Sequence, residues 1–206
     1  MSGSLRALLD GPVLEAARGL LGRRLISEID GARCEVVLTE VEAYGGGSDP
    51  ASHAFRGPTP RTGVMFGPAG RLYVYLSYGV HWCMNVVTGP AGEAAAVLLR
   101  GGRAVAGLEI MEQRRGRSDH LVDGPGKLCQ ALGVTGTQDG VSLFDGVVRI
   151  GSQPPVAGRI LSTPRVGISK AAERPWRFVL EDQGVMSAGL AQMVTEPPGG
   201  EPAEGC

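Results

Sequence analysis

Arg24-Leu-Ile-Ser-Glu-Ile-Asp-Gly-Ala-Arg-Cys-Glu-Val-Val-Leu-Thr-Glu-Val-Glu-Ala43 reads as two β-strands joined by a tight turn. Asp30-Gly31 is the strongest short-range hairpin signal, because such a turn needs positive φ at both central residues. The flanking arms, Arg24–Ile29 and 32–43, are rich in Val, Ile and Leu. In the second arm, strict alternation puts Val36, Leu38, Glu40 and Glu42 on one face and Val37, Thr39, Val41 and Ala43 on the other. Two carboxylates thus follow two apolar residues at a strand end, about 6.6 Å apart at ~3.3 Å per residue. That spacing suits an acid/base pair of the glycoside-hydrolysis kind. The plainer reading is an exposed strand end with two solvated acids.

Outward from this hairpin, residues 71–78, 82–87 and 94–99 read as further strands, with short candidates at 147–150, 159–161, 165–168 and 176–180. Residues 12–21 read as a helix, with Pro near its start and Gly22 as its stop. Residues 105–115 read as an amphipathic helix with Leu108 and Met111 inward, and 125–132 as a short helix ended by Gly133. Residues 45–63 form a loop dense in Gly, Pro, Ser and Thr, too long to be a mere connection. No repeat and no linker divides the chain. The expected fold is one α+β domain over 1–195, dominated by antiparallel strands, with 196–206 a disordered acidic tail.

At 206 residues and 43% hydrophobic content, the chain can bury a substantial core. No apolar run approaches a membrane span and no signal-peptide core opens the chain, so a cytoplasmic protein without membrane contact is expected. Cys34, Cys83, Cys129 and Cys206 form no C-x-x-C pair, and three of them sit in apolar stretches, so neither a metal nor another cofactor is expected. The net charge is −1, yet all 20 basic residues precede residue 178, and 18 of them are arginine. Arginine is the side chain best suited to bidentate phosphate contacts. A GC-rich genome would produce the same bias, so the charge pattern permits a polyanion partner without demanding one.

The chain is poor in aromatics (5%), yet all four tyrosines, Tyr44, Tyr73, Tyr75 and Tyr78, fall in one stretch with Glu42 and His53. Tyrosine offers a flat apolar face with a polar tip, which suits stacking on a planar ligand. Tyr73 and Tyr75 share a strand face, where aromatics usually pack in the core. Tyr78 lies beside Gly79 and out of that alternation, as an exposed ring would.

Glu42-Ala-Tyr44, His53, Thr59-Pro-Arg61, Met65-Phe66, Leu72-Tyr-Val-Tyr75, Tyr78-Gly79, Cys83-Met-Asn85, Leu98-Leu-Arg100, Gly124-Pro125 with Lys127-Leu-Cys-Gln-Ala-Leu132, and Arg165-Val-Gly167 together resemble the alkyladenine (methylpurine) DNA glycosylase family. The resemblance runs in register from Leu5 to Glu181. It implies a single mixed domain around a curved antiparallel sheet, with peripheral helices and a hairpin that enters the minor groove of double-stranded DNA. It also implies a monomer of the bacterial type that acts on the nucleoid without metal or cofactor.

The chemistry the resemblance implies is extrusion of a damaged purine from the duplex and hydrolysis of its N-glycosidic bond, leaving an abasic site. The damaged base would be an alkylated adenine or guanine, with hypoxanthine and ethenoadenine as further candidates. By position, Glu42 corresponds to the general base and Arg100 to a residue that holds the attacking water, together with backbone at Gly167 or Ile168. Tyr44, His53 and Tyr75 correspond to the residues that sandwich and read the base, with backbone at Ala51. Asn85 corresponds to the residue that excludes guanine. Tyr78 corresponds to the ring inserted into the duplex and Met65 to a wedge beside it. Glu40 is then surplus to catalysis and structural. Position 81 is histidine where the family often has an aromatic, and the loop before Phe66 is a residue shorter than in animal members. Two other readings stand beside this one. They are a non-catalytic nucleic-acid-binding module of the same fold, and a glycoside hydrolase using Glu40 with Glu42.

Overall fold

A computed structural model describes residues 4–181. The hairpin forms as expected. β1 (Arg24–Ile29) and β2 (Ala32–Tyr44) pair antiparallel outward from Ile29 opposite Ala32, with φ of 56° at Asp30 and 72° at Gly31. β2 outlasts its partner. β1 leaves it at Val37, and from Glu40 the same edge pairs with β8 (Arg177–Glu181). The other edge of β2 pairs with β5 (Ala95–Ala106). Where the neighbour changes, the register slips: Leu38 opposes Gly102, Glu40 opposes Gly101 and Val41 opposes Leu99. Thr39 and Arg100 are therefore extra residues, one on each strand. Gly102 lets the strands close up at this point, since a Cβ there would lie 2.3 Å from the Val36 side chain and 2.4 Å from the Val37 carbonyl oxygen.

This irregularity corrects the alternation expected of β2. Val36 and Leu38 face the main core, and beyond the extra residue so do Val41 and Ala43. Glu40, Glu42 and Tyr44 are thereby turned to the opposite face, not the face of Val36 and Leu38.

Among the described residues the sheet has eight strands, in the order β3 (Leu72–Ser77), β4 (His81–Thr88), β5, β2, β1 and β6 (Val148–Ile150), with β7 (Arg159–Thr163) added beside β8. Every pairing is antiparallel. The sheet curls into a half-barrel, and the fold is a single α+β domain.

Helices α1 (Leu5–Leu9), α2 (Val13–Leu20) and α4 (Pro125–Leu132) bury Leu9, Leu20, Leu128 and Leu132 in the core. α3 (Leu108–Arg115) starts three residues later than the apolar pattern suggested. Val105 and Ala106 finish β5 instead, and Gly107 turns the corner at φ 75°. Met111 is buried as expected, but Leu108 is 46% exposed. Residues 165–168 are not a strand: Gly167 has φ 74° and the Val166 N–H is bonded to a side chain rather than a ladder. The expected tail, 196–206, lies outside the described residues. Among the described residues no helix is long and apolar enough to cross a membrane.

Candidate active site

Because the slip in β2 turns Glu42 off the main core, its carboxylate would be stranded without polar partners. Two donors and a cation meet it. The Tyr44 hydroxyl donates to Oε2 at 2.8 Å, the Val166 N–H donates to Oε1 at 2.8 Å, and Arg100 Nη1 stands 3.3 Å from Oε1. Glu42 is fully buried. Burial, reinforced by the adjacent Glu42 carboxylate, pushes the Tyr44 hydroxyl well above the ordinary phenol range, so it stays a donor. Burial works against the charge of Arg100, but Glu42 and Glu40 outweigh it and keep the guanidinium charged.

In front of these donors lies a cavity of about 490 Å³, within the usual size for a small-molecule site. Tyr44, Arg100, Val166, Gly167 and Ile168 line it beside Glu42, together with His53, Tyr75 and Asn85. Glu42 itself lies behind the wall formed by its donors.

The aromatic side is locked by its own contacts. The Tyr73 hydroxyl sits 3.1 Å from His53 Nδ1, and the His53 ring meets Tyr75 edge-on with centroids 4.6 Å apart. Tyr73 and Tyr75 stack at 5.5 Å. Burial, and then the Arg61 guanidinium, hold His53 below its ordinary 6.5, so the ring is neutral at physiological pH. Asn85 is buried, and its amide nitrogen donates to the Tyr73 carbonyl at 3.1 Å. Ala51 donates its N–H to Asp49 Oδ1 at 3.2 Å, which fixes the backbone beside the cavity.

The β3–β4 hairpin overhangs the cavity mouth. Its turn is Tyr78-Gly79, with φ of 49° and 70°, closed by the Val80 N–H on the Ser77 carbonyl at 3.0 Å. Positive φ is uncommon for a bulky residue and is strained. Tyr78 is nonetheless 93% exposed and Val80 is 68% exposed. The fold thus holds a large ring in a disfavoured conformation with nothing to pack against. Strain of this kind gathers at functional positions.

Met65 is placed otherwise than as a wedge. It is 2% exposed and packs with Ala54, Tyr73, Val87, Ala94 and Ala96. A side chain anchored in a core cannot enter a duplex without vacating it, so Met65 serves as a wall of the cavity. Glu40 takes the structural position expected of it: Oε1 accepts from Arg100 Nε and Arg177 Nε, both at 2.7 Å. With that oxygen committed to two guanidinium groups, Glu40 makes a poor second carboxylate for sugar hydrolysis. His81 backs onto the start of α4, where a Cβ on Gly126 would come within 2.9 Å of it.

This architecture fits a known family of repair enzymes. The family described as Methylpurine-DNA glycosylase (MPG) matches residues 7–184. The chain belongs to the methylpurine-DNA glycosylase family. It is 50% identical over 192 residues to a protein of Frankia casuarinae named "Putative 3-methyladenine DNA glycosylase", covering 86% of this chain and 89% of that one. A protein of the same printed name from Nocardia farcinica is 50% identical over 184 residues, covering 84% of this chain and 85% of that one. One from Rhodopseudomonas palustris is 46% identical over 196 residues, covering 91% and 92%.

Family membership makes the chain a DNA glycosylase. The site also holds an ion pair whose acid, Asp49, no sequence motif singled out. Asp49 and Arg165 form a bidentate ion pair at 2.5 and 2.9 Å, with both side chains fully buried. Arg165 also donates to the Ala43 carbonyl at 2.9 Å and lies between the rings of Tyr44 and Trp176. The pair ties the loop after Tyr44 to the turn that presents Val166 to Glu42. Burial alone would raise the pKa of Asp49, but Arg165 and the N–H groups of Ala51 and Gly45 outweigh it and hold Asp49 below its ordinary 3.8. The sequence signal was an Asp-Pro step inside an overlong loop, legible as a turn and not as half of an ion pair.

Proposed function

We propose that this glycosylase extrudes a damaged purine from duplex DNA into the aromatic cavity and hydrolyses its N-glycosidic bond with a water activated by Glu42. The observation that carries this reading is the Glu42 carboxylate, buried directly behind a base-sized aromatic cavity and held by two hydrogen-bond donors and the Arg100 cation. A carboxylate offers about four lone-pair positions. Val166 donates to Oε1, which also faces the Arg100 guanidinium as an ion pair, and Tyr44 takes one position on Oε2. One position on Oε2 remains for a water, which would be enclosed and lined up by the same donors. Backbone at Gly167 and Ile168, which line the same cavity, would hold that water from its other side.

His53, Tyr75 and Tyr44 would hold the base, the backbone at Ala51 would meet its edge, and Asn85 would crowd the exocyclic amino group of guanine. The exposed Tyr78 ring would fill the gap left in the stack, offsetting an unstacking cost of a few kcal/mol. Among the described residues neither Lys127 nor Lys170 lines the cavity; without a Schiff base the product would be an abasic site. The enzyme would act as a monomer.

The test is a duplex carrying one hypoxanthine, another carrying one 3-methyladenine, and an undamaged control, incubated with the full chain and scored for alkali-labile abasic sites. Sites at either lesion alone support the reading. Release from neither lesion, in the presence of tight binding, would favour a non-catalytic binding module.

The turn supplies a second prediction. Tyr78→Ala should weaken binding to lesion duplex by roughly ten- to hundredfold, since a stacked aromatic is worth about 1–3 kcal/mol. It should act less on a lesion opposite a mismatched base, where unstacking costs less. Tyr78→Gly should lose binding equally yet raise the melting temperature, because it relieves a left-handed conformation that costs about 1–2 kcal/mol. Equal losses on matched and mismatched duplexes, together with a fall in melting temperature, would make Tyr78 a structural residue.

A further inference from the structure

Two arginines line the cavity, Arg61 and Arg100, and a third, Arg165, lies against the ring of Tyr44 in its wall; Arg100 and Arg165 are neutralised. Arg100 pairs with Glu40 and Glu42 at 2.7 and 3.3 Å, and Arg165 pairs with Asp49 at 2.5 Å. Arg61 lines the cavity, yet among the described residues no carboxylate lies within ion-pair distance of it. Its guanidinium carbon sits 5.1 Å from the centroid of Tyr75, over the ring. Its charge also acts on the Tyr73 hydroxyl, the group that contacts His53 Nδ1. One uncompensated cation therefore acts on the side chains that would hold the base.

Aromatic walls attract cations through the negative face of the ring. That attraction ordinarily favours a purine made positively charged by alkylation at a ring nitrogen. Here the arrangement works against it. Tyr75 already holds a guanidinium, and so does Tyr44, with Arg165 at 4.7 Å. Arg165 carries its own counter-charge, whereas Arg61 repels an incoming cation directly as well as occupying the ring. A neutral damaged purine meets neither penalty.

We propose that Arg61 is a specificity-determining residue that biases the cavity toward neutral purine lesions over cationic ones. The inference rests on the glycosylase reading above and concerns which class of lesion that site prefers. Arg61 acts by its charge alone, from the rim, and takes no part in activating water. His53 stays neutral throughout, since Arg61, Tyr73 and Tyr75 are the groups that face it and none favours its protonation.

The test measures single-turnover release of hypoxanthine, a neutral base, and 7-methylguanine, a cationic one, from otherwise identical duplexes at pH 7.5 and fixed ionic strength. The full chain is compared with Arg61→Lys, Arg61→Gln and Arg61→Glu, all at an exposed position. The neutral-to-cationic rate ratio should fall about three- to tenfold in Arg61→Gln, the range of a partly exposed cation–π contact. It should fall further in Arg61→Glu and stay within twofold of wild type in Arg61→Lys, which keeps the charge. Any contact of Arg61 with phosphate alters both substrates alike and cancels in the ratio. A ratio unchanged across the series overturns the proposal. So does a Lys variant that shifts as far as the Gln variant, since packing rather than charge would then be responsible. If the wild type releases neither base and leaves 3-methyladenine in place as well, the glycosylase reading itself fails, an outcome distinct from measurable rates in an unaltered ratio.

Discussion

Glu42→Gln should slow base release by about 10²- to 10⁴-fold, the usual worth of a general base. Affinity for a duplex carrying an abasic-site analogue should stay within a few-fold of wild type. The amide keeps the shape of the carboxylate. Its oxygen can still accept from the Val166 N–H and Arg100, and its NH2 can donate to the Tyr44 oxygen, which accepts as readily as it donates. What the amide lacks is the capacity to take a proton from water. Glu40→Gln is the control. Its carboxylate binds Arg100 and Arg177 off the cavity wall, so the change should disturb catalysis far less. Single-turnover excision by both variants, with binding to the abasic analogue measured in parallel, decides the matter. Turnover by Glu42→Gln within tenfold of wild type removes Glu42 from the base role, and a Glu40→Gln variant more damaged than Glu42→Gln returns the second acid to consideration.

The contrast between these two acids marks how far the sequence alone could be read. The 24–44 hairpin was legible because local chemistry decides it: Asp30-Gly31 can turn at positive φ and the arms are strand formers. α4 was legible for the same reason, with Pro125 at its start and Gly133 at its end. The faces of β2 were not. A strand's alternation is local, but the extra residues at Thr39 and Arg100 arise where β2 exchanges β1 for β8, an event set by chain 140 residues away and invisible in residues 32–43. The same holds for 165–168, read as a strand from Val and Ile, whose backbone answers instead to a carboxylate on another element. Tyr78 could be singled out because its neighbour Gly79 breaks the pattern locally. Asp49 could not, because a buried charge is recognisable only from its partner.

Asp49→Ala should be the most destabilising single change in the site, costing about 3–5 kcal/mol, because it leaves the Arg165 guanidinium buried without its counter-charge. For a chain of this size the melting temperature should fall by roughly 6–20 °C, at about 2–4 °C per kcal/mol. The pH dependence follows from the direction of the Asp49 shift. Its folded pKa lies below 3.8, so the pair's contribution is complete above the unfolded value and is lost as pH falls through the lower folded one. The gap between wild type and variant should therefore be at full size at pH 7 and shrink below about pH 3.8. A structural role and a positioning role are separated by the double variant Asp49→Leu with Arg165→Met. Exchanging a buried ion pair for apolar residues of similar volume is often neutral or stabilising by about 1–4 kcal/mol, so this variant should recover most of the melting temperature. It should not recover excision, because the apolar pair no longer binds the Ala43 carbonyl or the N–H groups of Gly45 and Ala51, and Val166 is released from its register with Glu42. Recovery of both stability and rate would reduce the pair to a fastening. Stability without rate would make it the device that holds the base-reading loop and the Glu42 donor in one geometry.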